Sequence, residues 1–111
     1  MSLANQQCIP CKGGIPPLSR VQAQAYLTEV PGWELSTNAT RIQRNFEFKD
    51  FAAALAFVNR IAAVAEQEGH HPEIAFGWGY CNVTLYTHKI RGLHENDFIM
   101  AAKINGQYDI D

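Results

Sequence analysis

All four histidines of the chain, His70, His71, His88 and His94, fall within residues 68–97. This window reads EGHHPEIAFGWGYCNVTLYTHKIRGLHEND. Because free imidazole titrates at about pH 6.5, a pair of histidines can supply both a proton donor and a proton acceptor near neutrality. The window therefore favours general acid–base catalysis.

The elements predicted around this window place three histidines at element ends. Gly69 stands where a C′ glycine would end a helix, so His70 and His71 follow a helix C-terminus. Along the predicted last strand, alternation places His88 on the face opposite the apolar residues. A helix end and a strand end can meet above one face of a sheet, which would bring these three side chains together.

Three carboxylates stand close to the histidines. Glu66 lies one helical turn before His70 and is expected to pair with a nearby histidine, whereas Glu68 is expected to be a solvated surface charge. Asp97 stands three residues after His94, at N3 of the final helix. It is predicted to accept from the backbone N–H of the cap residue, with the orientation of a histidine as the alternative role.

The composition indicates one folded domain. The chain has 111 residues, of which 47% are hydrophobic and 18% charged, enough to build a single core. A net charge of −2 with scattered Lys and Arg disfavours direct nucleic-acid binding. No apolar run approaches the roughly 20 residues of a membrane span, and the N-terminus lacks the apolar core of a secretory signal, so we expect a cytoplasmic protein.

The order of predicted elements is α-β-β-α-β-β-α. Ser19 and Gln22 form a capping box before the first helix, which Pro31 must end, and Asp50 caps the second helix. Hairpin-length links predict an α+β fold, a four-stranded antiparallel sheet with three helices packed on one face. We expect a flexible arm over residues 1–17, the domain over 18–106 and a tail over 107–111.

Finer predictions concern which faces are buried. The second helix is predicted to bury a stripe of apolar residues, widened by two more: Phe51, Leu55, Val58, Ala62 and Ala65, with Phe57 and Ile61. The third helix is predicted to bury Leu93, Asp97, Met100, Ala101 and Ile104 and to end near Gly106. Arg44 falls on the apolar side of its strand, which indicates an edge position.

Cysteine usage gives little support for disulfides or metal. The three cysteines, Cys8, Cys11 and Cys81, are an odd number, and the C-x-x-C pair lacks the second pair that a structural zinc site needs. A zinc hydrolase built from His70, His71, His88 and a cysteine is disfavoured, because adjacent histidines rarely reach one tetrahedral ion.

The segments EQEGHHPE and THKIRGLHENDFIMAA resemble the signature of the pterin-4a-carbinolamine dehydratases. The resemblance extends back through PGWEL and FKDFAAALAFVNRIAAVAE and covers residues 18–105. It implies an enzyme that dehydrates 4a-hydroxytetrahydrobiopterin, left by aromatic amino acid hydroxylases, to the quinonoid dihydropterin without metal or cofactor. The alternative is a non-catalytic, dehydratase-like partner protein that acts in dimerisation or assembly of another protein.

The resemblance also implies roles for particular residues. His70, His71 and His88 would be catalytic, with His70 and His88 as the acid–base residues. The pterin would be bound by these three histidines with Pro72 and Thr87, and Glu66 and Asp97 would support the site. His94 departs from the Ser or Thr more common at that helix cap in the family. A small sheet with free edges also favours a homodimer or homotetramer.

Overall fold

The computed structural model describes residues 2–9 and 13–109. Its helices and strands follow the predicted order: α1 (Arg20–Leu27), β1 (Glu34–Leu35), β2 (Ile42–Glu47), α2 (Phe51–Glu68), β3 (Glu73–Gly77), β4 (Tyr80–Leu85) and α3 (Glu95–Tyr108). Two short 3-10 turns, Leu3–Asn5 and His88–Ile90, flank these elements. The α+β fold is therefore confirmed. Within the described ranges, no helix is long and apolar enough to cross a membrane.

The helix boundaries follow the predicted capping chemistry. The Ser19 side chain accepts from the Gln22 backbone N–H and the Gln22 side chain accepts from that of Ser19, so the capping box is complete. Asp50 Oδ1 accepts from the Ala53 backbone N–H at 2.8 Å and starts α2. Gly69 ends α2 in the left-handed region, at a φ of 67°.

The sheet is antiparallel throughout, in the order β1-β2-β4-β3. The prediction that Arg44 marks an edge strand is wrong, since β2 lies between β1 and β4. The physical reason is that β1 pairs only with Ile42 and Gln43, so β2 has a neighbour on one side alone at Arg44. The guanidinium lies over the Phe46 ring at 4.4 Å and donates to Asn105 Oδ1 at 2.7 Å.

The core lies between one face of the sheet and the helices. The face of α2 that is buried consists of Ala54, Phe57, Ile61 and Ala65. The predicted residues Ala65, Phe57 and Ile61 are thus buried, whereas Phe51 is 47% exposed and Leu55 39% exposed, so the buried face is rotated away from those two. The residues predicted to be buried on the third helix are all buried, although Leu93 precedes α3.

Residues near both ends of the described part of the chain contact the domain. Leu3 is buried, and Lys103 Nζ on α3 donates to the Ala4 carbonyl at 2.8 Å, so part of the predicted flexible arm lies against the core. At the other end α3 continues through Gly106 to Tyr108. Because the Tyr108 hydroxyl donates to the Glu47 carbonyl at 3.0 Å, the first residues of the predicted tail belong to the packed helix.

Candidate active site

A cavity of about 510 Å³ opens where the end of α2, the end of β4 and the start of α3 meet. This volume is within the range of about 300–1,000 Å³ that is usual for small-ligand sites. Its lining residues are Cys8, Ile9, Glu68, Gly69, His70, His71, Tyr86, Thr87, His88, Lys89 and Asn96. Three of the four histidines therefore surround one hollow.

His70 is the most enclosed of these three histidines, with 12% of its side chain exposed. Its Nε2 lies 2.6 Å from Oδ1 of Asp97, which is fully buried. An ionised carboxylate only accepts hydrogen bonds, so this contact places the ring proton on Nε2 and leaves Nδ1 as the basic nitrogen of the neutral ring.

Asp97 performs both of the roles that the sequence left as alternatives. Its Oδ2 accepts from the His94 backbone N–H at 3.0 Å, which completes the capping box of α3, and from Thr87 Oγ1 at 2.8 Å. Its Oδ1 meets His70. One buried carboxylate thus contacts residues at the end of α2, the end of β4 and the start of α3.

His71 contacts Glu66 through Nε2, and both side chains are largely exposed. Glu66 was expected to pair with a histidine, and its partner is His71 although His70 lies one helical turn away. The reason is that the chain leaves the helix at Gly69, so helical spacing no longer applies beyond that residue. The two consecutive histidines consequently have different carboxylate partners.

His88 stands at the start of the second 3-10 turn and not on a strand, since β4 ends at Leu85. The predicted alternation nevertheless persists, because Thr87 is buried and His88 is exposed. The His88 ring packs against Tyr86, with 4.2 Å between the ring centroids.

Two other predicted residues lie outside the cavity lining. Pro72 is half-buried but does not line the cavity, and Glu66 reaches the site only through His71. His94 caps α3, with its Nδ1 accepting from the Asn96 backbone N–H at 3.0 Å. The fourth histidine therefore has a structural role.

The sequence did not indicate that Cys8, Ile9, Glu68 and Asn96 belong to this cavity. Glu68 was expected to be solvated, and that prediction is wrong: its side chain is 9% exposed, and its Oε1 accepts from the Cys8 backbone N–H at 2.7 Å. The only sequence signal was the unfavourable placement of a glutamate at a helix C-terminus, which calls for a compensating partner.

Burial and the Glu68 carboxylate raise the pKa of the Cys8 thiol to about 12. The thiol is therefore protonated at neutral pH. Within the described part of the chain, no group of three or more His, Cys, Asp or Glu residues could hold a metal ion. Cys11, the second cysteine of the C-x-x-C pair, lies outside the described residues.

Comparison with known proteins identifies the class. Residues 16–107 match the family model described as "Pterin 4 alpha carbinolamine dehydratase". A Cupriavidus pinatubonensis protein named "Putative pterin-4-alpha-carbinolamine dehydratase 1" is 56% identical over 101 residues, covering 91% of this chain and 87% of that protein. A Methylococcus capsulatus protein with the same family name, also "putative", is 55% identical, covering 94% of this chain and 91% of its own length. The chain belongs to the pterin-4a-carbinolamine dehydratase family.

Solved structures agree with this assignment. The "transcriptional coactivator/pterin dehydratase from Brucella Melitensis" superposes with a TM-score of 0.78 at 35% identity, covering 82% of this chain and 97% of that one. A "pterin dehydratase-like protein" described as "a RuBisCO assembly factor in the alpha-carboxysome" superposes with a TM-score of 0.60 at 28% identity, covering 69% and 89%.

Proposed function

We propose that this protein removes water from 4a-hydroxytetrahydrobiopterin to give quinonoid dihydrobiopterin, by acid–base catalysis from histidines. It would thereby recycle the pterin for aromatic amino acid hydroxylases and share their cytoplasmic compartment. The observation that carries this proposal is the cavity that His70, His71 and His88 surround, in which buried Asp97 fixes the ring of His70.

The reaction needs one proton donor and one proton acceptor. The C4a–O bond breaks as the hydroxyl takes up a proton and leaves as water. The neighbouring ring nitrogen N5 loses its proton, and its electron pair forms the C4a=N5 double bond. Two imidazoles can perform both transfers, and each positioned acid or base contributes about a hundredfold to ten-thousandfold.

The carboxylates support the histidines. Because Asp97 fixes the tautomer and ring orientation of His70, the basic Nδ1 is available to a bound pterin. Glu66 acts on His71 in the same way at the exposed rim. Thr87 lines the cavity and donates to Asp97, so it would flank a bound pterin. We carry over a pterin-binding role for Pro72 from the family resemblance alone.

The test follows the dehydration of 4a-hydroxytetrahydrobiopterin, generated by a hydroxylase, through the loss of its ultraviolet absorbance. The unmutated protein should accelerate this loss. Replacing both cavity histidines, His70→Ala with His88→Ala, should return the rate to background. His94→Ser is the matched control, because it removes the histidine outside the cavity and keeps a good cap residue. Equal rates with and without the unmutated protein would reject the proposal.

A second candidate is a non-catalytic partner protein that acts in the dimerisation or assembly of another protein. Two similar solved structures favour it, since one is described as a "transcriptional coactivator/pterin dehydratase" and the other as "a RuBisCO assembly factor". It requires none of the three cavity histidines. A protein that folds normally but leaves the dehydration rate unchanged would support this second function.

We also propose that copies of this chain associate as a dimer or tetramer. The sheet ends in two edge strands, β1 and β3, and α2 exposes Phe51 and Leu55. Exposed strand edges and exposed apolar side chains on one helix are surfaces that a second copy can cover.

A further inference from the structure

Residues 2–9, termed here the N-terminal strap, are attached to the start of α3 by an amide pairing. Asn96 Oδ1 accepts from the Ile9 backbone N–H at 3.0 Å, and Asn96 Nδ2 donates to the Ile9 carbonyl at 2.6 Å. The Cys8 thiol lies 3.7 Å from the Asn96 carbonyl, in position to donate to it. Asn96 immediately precedes Asp97, the residue that holds His70.

The strap is attached to the end of α2 through a buried charge. The Cys8 backbone N–H donates to Glu68 Oε1 at 2.7 Å, and Glu68 Oε2 lies 3.9 Å from Lys103 Nζ. That ammonium also donates to the Ala4 carbonyl. A carboxylate at 9% exposure needs such partners, because an unpaired buried charge is costly. The strap supplies the hydrogen bond from Cys8, and α3 supplies the Lys103 ammonium.

Ile9 combines a fixed backbone with an exposed side chain. Both of its backbone polar groups are paired with Asn96, yet the residue is 60% exposed and lines the cavity with His70 and His88. An aliphatic residue held at the rim of this cavity offers the surface that one face of a flat ring would cover. The family model begins at residue 16, so this wall lies outside the matched domain.

We infer that the N-terminal strap forms one wall of the pterin site, with Ile9 as a substrate-binding residue that packs against the ring and Asn96 as the residue that positions it. This inference rests on the proposed function. Ile9 would bind the ligand and would take no part in proton transfer. The expected signature is therefore a weaker affinity, or a higher KM, with kcat unchanged.

The first experiment measures binding of 7,8-dihydrobiopterin, a stable pterin that lacks the 4a-hydroxyl, by titration calorimetry on the full chain with any tag at the C-terminus. Ile9→Ala should bind it about three- to tenfold more weakly, because the buried aliphatic contact is shortened. Ile15→Ala is the matched control, since Ile15 is also exposed but does not line the cavity. Equal affinities for Ile9→Ala and the unmutated protein would overturn the inference.

The second experiment tests the positioning role of Asn96. If Asn96 acts by holding Ile9, then Asn96→Ala should weaken binding by a similar factor, and the double variant should be no weaker than either single one. Cys8 provides an independent readout, because its thiol is protected in the docked strap. Iodoacetamide should label Cys8 faster in Asn96→Ala at pH 8, as located by fragment-ion mass spectrometry. Additive losses in binding would contradict a role through Ile9.

The outcomes for the inference and for the proposed function are separable. If the parent protein binds 7,8-dihydrobiopterin without accelerating dehydration, the enzyme function is rejected. The comparison with Ile9→Ala then still tests whether the strap forms a wall of the pterin site. If the parent protein is active and Ile9→Ala leaves the affinity and KM unchanged, only the inference that the strap forms a wall of the site is rejected. A parent protein that neither binds 7,8-dihydrobiopterin nor accelerates dehydration rejects both.

Discussion

At the scale of single residues, Asp97 connects the cap of α3 with the candidate active site. It caps α3 through the His94 backbone N–H, and it contacts His70 and Thr87 from the same buried carboxylate. The capping role follows from local spacing, since the cap and N3 are three residues apart. The contact with His70 spans 27 residues and depends on how the helices pack, so sequence spacing could not choose between the two roles.

Asp97→Asn is predicted to lower kcat more than it raises KM. The amide cannot accept from all three donors, so His70 loses its fixed orientation, and misplacement of a reacting group costs on the order of a hundredfold. Steady-state kinetics of the dehydration assay would measure this. Loss of hydrogen bonds to a buried charge should also cost about 1.5–3 kcal/mol of unfolding free energy in urea melts.

A second cap residue controls for that loss of stability. Asp50 caps α2 far from the histidines in the fold, and Asp50→Ala should cost about 1 kcal/mol while leaving kcat at the parent value. If Asp50→Ala lowers kcat as much as Asp97→Asn does, then general destabilisation explains both results and Asp97 has no role in positioning His70.

At the scale of elements, the turn that carries His88 is held by backbone hydrogen bonds at both ends. Thr87 and Gly92 form an isolated antiparallel bridge, with the Thr87 N–H donating to the Gly92 carbonyl at 2.8 Å. The Leu18 N–H donates to the Leu93 carbonyl at 2.8 Å, so the chain before α1 covers this turn. A side chain at Gly92 would enter that contact, because an added Cβ would lie 2.6 Å from Cβ of Pro17.

Gly92→Ala and Gly106→Ala are predicted to change stability in opposite directions. At Gly92 the extra carbon clashes with the rigid proline ring, and overpacking of this kind costs about 1–3 kcal/mol. At Gly106, inside α3, the Cβ would meet nothing within 4 Å, and alanine should stabilise the helix by about 0.5–1 kcal/mol. Urea denaturation measures the free energy of unfolding of both variants. Equal changes at the two sites would contradict the predicted contact with Pro17.

The sequence predicted element boundaries better than element faces. Helix caps depend on contacts between residues that are close in sequence. The caps at Ser19, Asp50 and His94 all form at the spacing that the sequence indicated. The buried face of α2 was predicted only in part, because alanines and large apolar residues occur around most of that helix. Periodicity alone then cannot decide which side meets the sheet.

At the scale of the whole molecule, the histidine cluster was predictable and the opposite wall of the cavity was not. His70 and His71 follow a predicted helix end and His88 lies at a predicted strand end, and such ends can meet above one face of a sheet. The wall contributed by Cys8 and Ile9 depends on contacts with Glu68 and Asn96, 60 and 87 residues away. The strap has no apolar periodicity, so no local pattern could assign it a position.

The outward stripe of α2 gives a prediction for the assembly. Phe51 and Leu55 are on adjacent turns of one helix face and stay 47% and 39% exposed, which favours burial against another copy. Leu55→Glu should reduce the mass measured by sedimentation velocity to that of one chain, because an unpaired charge in an apolar interface is costly. Ala63→Glu, exposed on a different side of α2, is the control and should keep the parent mass. A single-chain mass for the unmutated protein would show instead that this stripe stays exposed.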